Sequence, residues 1–322
     1  MSGPVSLSSL MPKWRSVDPA LIAVSALLLA VVATGAVTSE RFATTLNFLS
    51  VLEQSAALGF VSLGQTLVVL AGGIDLSVGG IVTGSAVLLA GLVNGHSNLM
   101  IPALIAVLLC GAAVGALNGV IAVRTGVHPL IVTLGMASIL NGLVLLYTLQ
   151  PAGKVPAWFQ DFAFGRFLGL PIAGIVMLAA FSAVGFLLLK LPIGRSIYAV
   201  GGNYDAARLS GIRADRVTIL VYAASGFLAA LAGAYYVSRT GIGDPRVGEP
   251  IALASITPVV VGGTVLGGGR GGVTGTLVGV FLISLLNNLL NYMNVSTFLQ
   301  WVIQGLIIIA SVSVFVNRTK RL

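Results

Sequence analysis

The sequence predicts an all-α polytopic membrane protein with about ten transmembrane helices, some of them broken or half-length. Three observations carry this. Hydrophobic residues make up 57% of the chain, charged residues only 8%, and the mean hydropathy is +1.04. Soluble domains carry roughly 25% charged residues, so too little polar cover exists here for a water-exposed surface and lipid must solvate much of the exterior. The apolar residues also fall in runs close to the roughly 20 residues that span a bilayer as a helix.

The runs lie at 19–38, 46–71, 78–93, 100–123, 129–149, 171–191, 217–238, 254–266, 273–292 and 297–316. The first is preceded by Lys13 and Arg15 but is long for a signal-peptide apolar region and is read as an uncleaved span. The segment 254–266 is short and interrupted by glycine, the pattern of a half-helix or re-entrant element. The domain organisation is then a cytoplasmic tail over 1–18, one transmembrane domain over 19–316 and a cytoplasmic tail over 317–322. With ten spans and a cytoplasmic N-terminus, Lys13, Arg15, Arg124, Lys190, Arg195, Arg208, Arg213, Arg216, Arg270, Arg318, Lys320 and Arg321 lie inside. Arg41, Lys154, Arg166, Arg239 and Arg246 lie outside, and this bias favours both termini in the cytoplasm. The net charge of +8 is spread between apolar runs, not gathered on one soluble face, so nucleic acid is not an expected partner and membrane lipid is.

Three stretches stand out. The inner segment 190–216 holds five basic residues and is longer than a connection needs. Within it Asn203 can N-cap a short helix, Asp205 sits in its positive first turn, Ala206, Ala207, Arg208 and Leu209 propagate it, and Gly211 can end it in the left-handed region. Leu209 and Ile212 would then lie exposed among charges. Such a helix suits docking to a soluble partner, while a plain basic loop that sets topology is the alternative.

The second stretch is GGIDLSVGG over 72–80. Asp75 is the only acidic residue between Glu53 and Asp161, and an unpaired carboxylate in the bilayer costs about 2.5–3.5 kcal/mol. Its glycines let the backbone leave helical geometry, and Asp75 and Ser77 are expected to cap the helix that follows. The segment is either a tight capped turn or a part of the solute path or gate. The third stretch, VVVGGTVLGGGRGGVTGTLVG over 259–279, is Gly-rich and allows broken backbone at membrane depth. It lacks the Lys-Ser/Thr ending of a phosphate loop, and its echo of the second stretch leaves an internal duplication open.

No catalytic or zinc constellation occurs, so no cofactor is expected. The lone Cys110 is expected as core filler. Polar residues inside the spans are mostly neutral. Gln65, Asn118, Thr133, Asn141, Asn287, Asn288 and Gln304, with Asp75 and Ser77, are candidates for a path or gate through which a neutral hydroxylated solute passes. The alternative for each is helix-to-helix hydrogen bonding. The scarcity of carboxylates argues against an ion pump.

From about residue 40 to 316 the chain resembles the permease subunits of bacterial sugar ATP-binding-cassette importers of the ribose, xylose, arabinose and galactose type. The marks are Gly-Gln-Thr at 64–66 leading into GGIDLSVGG, Asn118-Gly119 before a basic turn, HPLIVTLG at 128–135, AVGGNYDAARLSGI at 199–212, VVGGTVLGGGRGG at 260–272 and the closing NNLLNYMNVSTFLQWVIQGLIIIASV. The resemblance implies a permease without an ATPase of its own, in the bacterial inner membrane. It implies three protein partners: a second permease subunit, a cytoplasmic ATPase subunit and a periplasmic solute-binding protein. It also implies that the coupling helix to the ATPase is Asn203, Tyr204, Asp205, Ala206, Ala207, Arg208, Leu209, Ser210 and Gly211. GEPIALASITPVVVGG, with Thr257 and Pro258, departs from the family pattern and leaves the particular solute open. The competing expectation is a stand-alone ion- or proton-coupled carrier, which would work without any ATPase.

Overall fold

A computed structural model describes residues 19–319, so the tails, with Lys13, Arg15, Lys320 and Arg321, lie outside the described residues. The helices are α1 (Pro19–Thr38), α2 (Thr45–Leu70), α3 (Val78–Val93), α4 (Met100–Thr125), α5 (Pro129–Tyr147), α6 (Asp161–Phe164), α7 (Ile172–Lys190), α8 (Pro192–Gly202), α9 (Tyr204–Leu209), α10 (Ala214–Thr240), α11 (Ile251–Ala254), α12 (Ile256–Val261), α13 (Val273–Tyr292) and α14 (Thr297–Thr319). One hairpin, β1 (Arg166–Phe167) with β2 (Leu170–Pro171), precedes α7.

Among the described residues seven helices are long and apolar enough to cross a membrane, which supports the polytopic class but not the full count of ten. The other three expected spans coincide with shorter apolar stretches, Val78–Val93, Ile251–Val261 and Thr297–Ile307. At about 1.5 Å per residue, the 16 residues of α3 reach about 24 Å, short of a hydrocarbon core of about 30 Å. The non-helical stretch before α3 buries Gly73, Asp75 and Ser77 within the protein, the setting in which backbone outside a helix is tolerated in a membrane protein.

The 27-residue α10 is the central helix and packs against α2, α3 and α4. Small residues make this approach possible. A Cβ on Gly115 of α4 would lie 2.1 Å from the Tyr222 carbonyl oxygen, and one on Gly226 of α10 would lie 2.1 Å from that of Gly111. Glycines four apart along α4 form the small-xxx-small face that lets two backbones touch. Outward from this centre, α1 packs on α13, and α13 on α2 and α12.

Two expectations are corrected here. Cys110 is exposed on the outer face of α4, not buried as core filler. The segment 190–216 holds two helices, not one. Pro192 starts α8, which buries Gly194, Ile197 and Val200 along one side. α9 then begins after a break at Asn203.

Candidate functional site

The polar residues singled out in the spans fall into two groups at different depths, with Asn141 apart from both. The first group surrounds the broken segment before α3. Asp75 is fully buried, and three donors converge on its carboxylate. Oδ1 accepts from Ser77 N at 3.0 Å and from Ser77 Oγ at 2.6 Å, and Oδ2 accepts from Ser225 Oγ at 3.0 Å. With its amide oriented to satisfy both partners, Gln65 donates to the Asp75 carbonyl at 3.1 Å and accepts from Asp75 N at 3.2 Å. The Gln65 side chain thus replaces a neighbouring strand for backbone that has left the helix. Asn118 Nδ2 donates to Ser77 Oγ at 2.8 Å, and Thr133 Oγ1 to the Ile74 carbonyl at 3.2 Å.

The expectation that Asp75 and Ser77 cap α3 is corrected by this geometry. Ser77 is the N-cap residue in αR geometry, and its side chain makes no capping bond. Its hydroxyl is drawn to Asp75 instead, so the carboxylate holds the loop rather than the helix end. Ser225 was not among the sequence candidates. It lies 150 residues away in sequence on α10, and a serine in an apolar helix gives no local signal of that pairing.

The second group lines a cavity of about 230 Å³ in the halves of α2, α10, α13 and α14 remote from α9. Asn287, Asn288 and Gln304 reach it, with Gln54, Tyr236 and Trp301. Among the described residues no charged side chain lines it. Tyr236 stands 22 residues beyond Ala214 on α10, about 33 Å from the end of that helix nearest α9. Asn141 joins neither group, because its side chain is exposed on the outer face of α5.

The third component is α8–α9. Asn203 Oδ1 accepts from Ala206 N at 2.9 Å, and Gly211 ends the segment at φ +84°. Leu209 is 90% exposed, an apolar side chain with nothing from the described residues over it. Tyr204 donates to Asp215 Oδ1 at 2.5 Å and anchors α9 to α10. Burial, and then the Asp215 carboxylate, push the Tyr204 phenol from 10.0 up to about 12. The raised value favours the neutral, donating form, so this anchor is fully present below about pH 10 and is lost only as pH rises through about 12.

α8 joins this exposed helix to both broken segments. Gly269 N donates to the Leu70 carbonyl at 2.9 Å, and Tyr198 Oη of α8 donates to the Gly271 carbonyl at 3.0 Å. A Cβ on Gly201 would lie 1.8 Å from the Leu70 carbonyl oxygen and 2.7 Å from Gly269 N, whereas one on Gly202 would meet nothing within 4 Å. Gly201→Ala is therefore expected to destabilise the purified chain by about 1–3 kcal/mol, and Gly202→Ala to stay within about 0.5 kcal/mol, in thermal melts followed by tryptophan fluorescence.

Among the described residues no cluster could hold a metal ion. Apolar helices around a broken, hydrogen-bonded interior, a neutral polar cavity towards one face and an exposed helix on the other define a multi-pass membrane permease. Residues 47–312 match the family described as branched-chain amino acid transport system / permease component, and the chain belongs to that family. It is similar to the ribose import permease protein of Bacillus subtilis (strain 168), 41% identical over 286 residues, 88% of each chain. It is 37% identical to the ribose import permease protein of Escherichia coli (strain K12) over 308 residues, 94% of each chain. The D-allose transport system permease protein of the same strain is 34% identical over 282 residues, 87% of this chain and 86% of that one. No solved structure matches.

Proposed function

We propose that the chain is the permease subunit of an ATP-driven importer in the bacterial inner membrane, passing a neutral sugar or polyol delivered by a periplasmic binding protein. A cytoplasmic ATPase subunit supplies the energy through α9, and a second permease subunit completes the transporter. The observation that carries this is the exposed Leu209 on a short, capped helix tied through α8 to both broken segments. A helix so connected can pass movement from a soluble partner to the membrane interior. The sugar permeases among its relatives support the solute class. The family match favours this reading over a stand-alone ion- or proton-coupled carrier.

Asn141 supports the second subunit. Its amide is exposed at membrane depth on α5, and Cβ atoms on Gly135 and Gly142 of the same helix would meet nothing within 4 Å. A polar group facing lipid is costly, and a neighbouring protein helix relieves that cost. The basic-residue bias supports a cytoplasmic α9 and a cavity open to the periplasm.

ATP-driven uptake of labelled sugars by the reconstituted chain with its ATPase subunit tests the function. Uptake that persists without the ATPase would move the assignment to a carrier. Orientation is tested separately: Ser210→Cys should react with an impermeant thiol reagent only from the cytoplasm, and Leu168→Cys only from outside. Ala163 in the same outer region is fully buried and would report nothing, whereas Leu168 is 88% exposed. Reaction of both from one side would overturn the arrangement.

A further inference from the structure

The amides around the neutral cavity are not equivalent, and their pairing separates supports from groups still available to a solute. Asn288 is spent on Asn47 of α2: Nδ2 donates to Asn47 Oδ1 at 3.1 Å, and Oδ1 accepts from Asn47 Nδ2 at 2.9 Å. Asn291 Oδ1 accepts from Gln300 Nε2 at 2.8 Å, while Asn291 Nδ2 and the Gln54 amide, also on the cavity wall, make no bond among the described residues. Asn287 and Gln304 differ in being held by each other. Gln304 Nε2 donates to Asn287 Oδ1 at 3.0 Å, and this single bond locks the two amides together across α13 and α14. The Asn287 Nδ2 donor and the Gln304 Oε1 acceptor make no bond among the described residues, although both side chains line the cavity.

A donor and an acceptor held in register are what a pair of neighbouring hydroxyls requires, since one hydroxyl accepts from the amide nitrogen while the other donates to the carbonyl oxygen. Trp301, half-exposed beside them, meets Phe298 edge-to-face with ring centroids 5.7 Å apart and offers an apolar surface for the C–H face of a ring. The cavity is smaller than the roughly 300–1,000 Å³ of sites for drug-sized ligands and has no charged lining, so a charged solute would lose its hydration without replacement.

We propose that this cavity is a recognition site for one uncharged vicinal diol, contained within a single chain, in which Asn287 and Gln304 read the hydroxyl pair, Trp301 packs on the ring, and Asn47 and Asn288 are supports. It deepens, and rests on, the reading of the chain as a sugar permease. Selection of the solute would then occur in the permease as well as in the protein that delivers it.

The test uses the full chain in detergent with Trp14→Phe and Trp158→Phe, which leaves Trp301 as its one tryptophan. D-ribose, D-allose and L-arabinose are titrated against its emission, with ribose 5-phosphate as the charged control. A saturable change with at least one neutral sugar and none with the phosphate is expected. Asn287→Leu and Gln304→Leu should each raise the half-saturation concentration about five- to tenfold, the loss of one neutral hydrogen bond or slightly more. Asn287→Asp and Gln304→Glu, of nearly unchanged size, serve if the leucine variants do not fold. No saturable response to any of the three sugars, or a response unaltered in these variants, overturns the site. ATP-driven uptake by the same chain with its ATPase separates the two readings: uptake without the Trp301 response rejects the cavity and keeps the permease, and a response without ATP-driven uptake does the reverse.

Discussion

Asp75→Leu is expected to abolish uptake and to reduce the amount of folded chain in the membrane, whereas Asp75→Asn retains most of both. The carboxylate receives three donors, and none of the three donates another bond among the described residues. Removing it strands Ser77 N, Ser77 Oγ and Ser225 Oγ in a fully buried place, at about 1–3 kcal/mol for each group that finds no new partner. The sum is comparable with the whole stability of a folded domain, about 5–15 kcal/mol. Asparagine keeps Oδ1 for the two Ser77 donors, and its Nδ2 can donate to Ser225 Oγ once that hydroxyl turns round. Membrane expression, detergent melting and uptake for both variants make the check. Equal uptake by wild type and Asp75→Leu would remove Asp75 from any account of the broken segment.

This pair of variants also marks where the sequence was readable. Asp75 stood out because a lone carboxylate between glycines in an apolar stretch needs compensation, and Gln65 and Asn118 stood out as polar groups within spans. Which atoms compensate was not readable. Ser225 is brought in by the packing of α10 on α2, α3 and α4, and that packing depends on glycines of α4 whose spacing of four is a signal the sequence does carry. Capping was expected of Asp75 and Ser77 from their position before an apolar run, but the buried carboxylate, with stronger demands than a helix end, took the Ser77 hydroxyl.

At 203–211 the local signals sufficed, because an Asn side chain on an amide three residues on and a glycine at positive φ are short-range features. α8 was hidden. Its Gly194, Ile197 and Val200 contacts read in sequence as a polar, Gly-interrupted loop. The difference between Asn287 and Asn288 was hidden too, since adjacent asparagines on one helix turn are told apart only by what Asn47 and Gln304 do across the interior.

Leu209→Asp is expected to leave insertion and folding intact while eliminating ATP-driven uptake. Leu209 is 90% exposed, so within this chain the change exposes a charge in place of an apolar side chain, and surface changes of that kind usually stay within about 0.5 kcal/mol. In a complex with an ATPase the same position would be covered, and an uncompensated charge buried there costs several kcal/mol, enough to lose the partner or to separate hydrolysis from transport. Arg208→Ala should be milder, since one exposed charge at the edge of an interface contributes about 0–1 kcal/mol. ATPase co-purification, ATP hydrolysis and uptake are measured together with membrane expression. Hydrolysis retained with uptake lost would point to α9 as the transmitting element, and loss of co-purification would point to it as the seat. Full uptake by Leu209→Asp would move the coupling contact away from α9, and loss of membrane expression would make the helix a folding element instead.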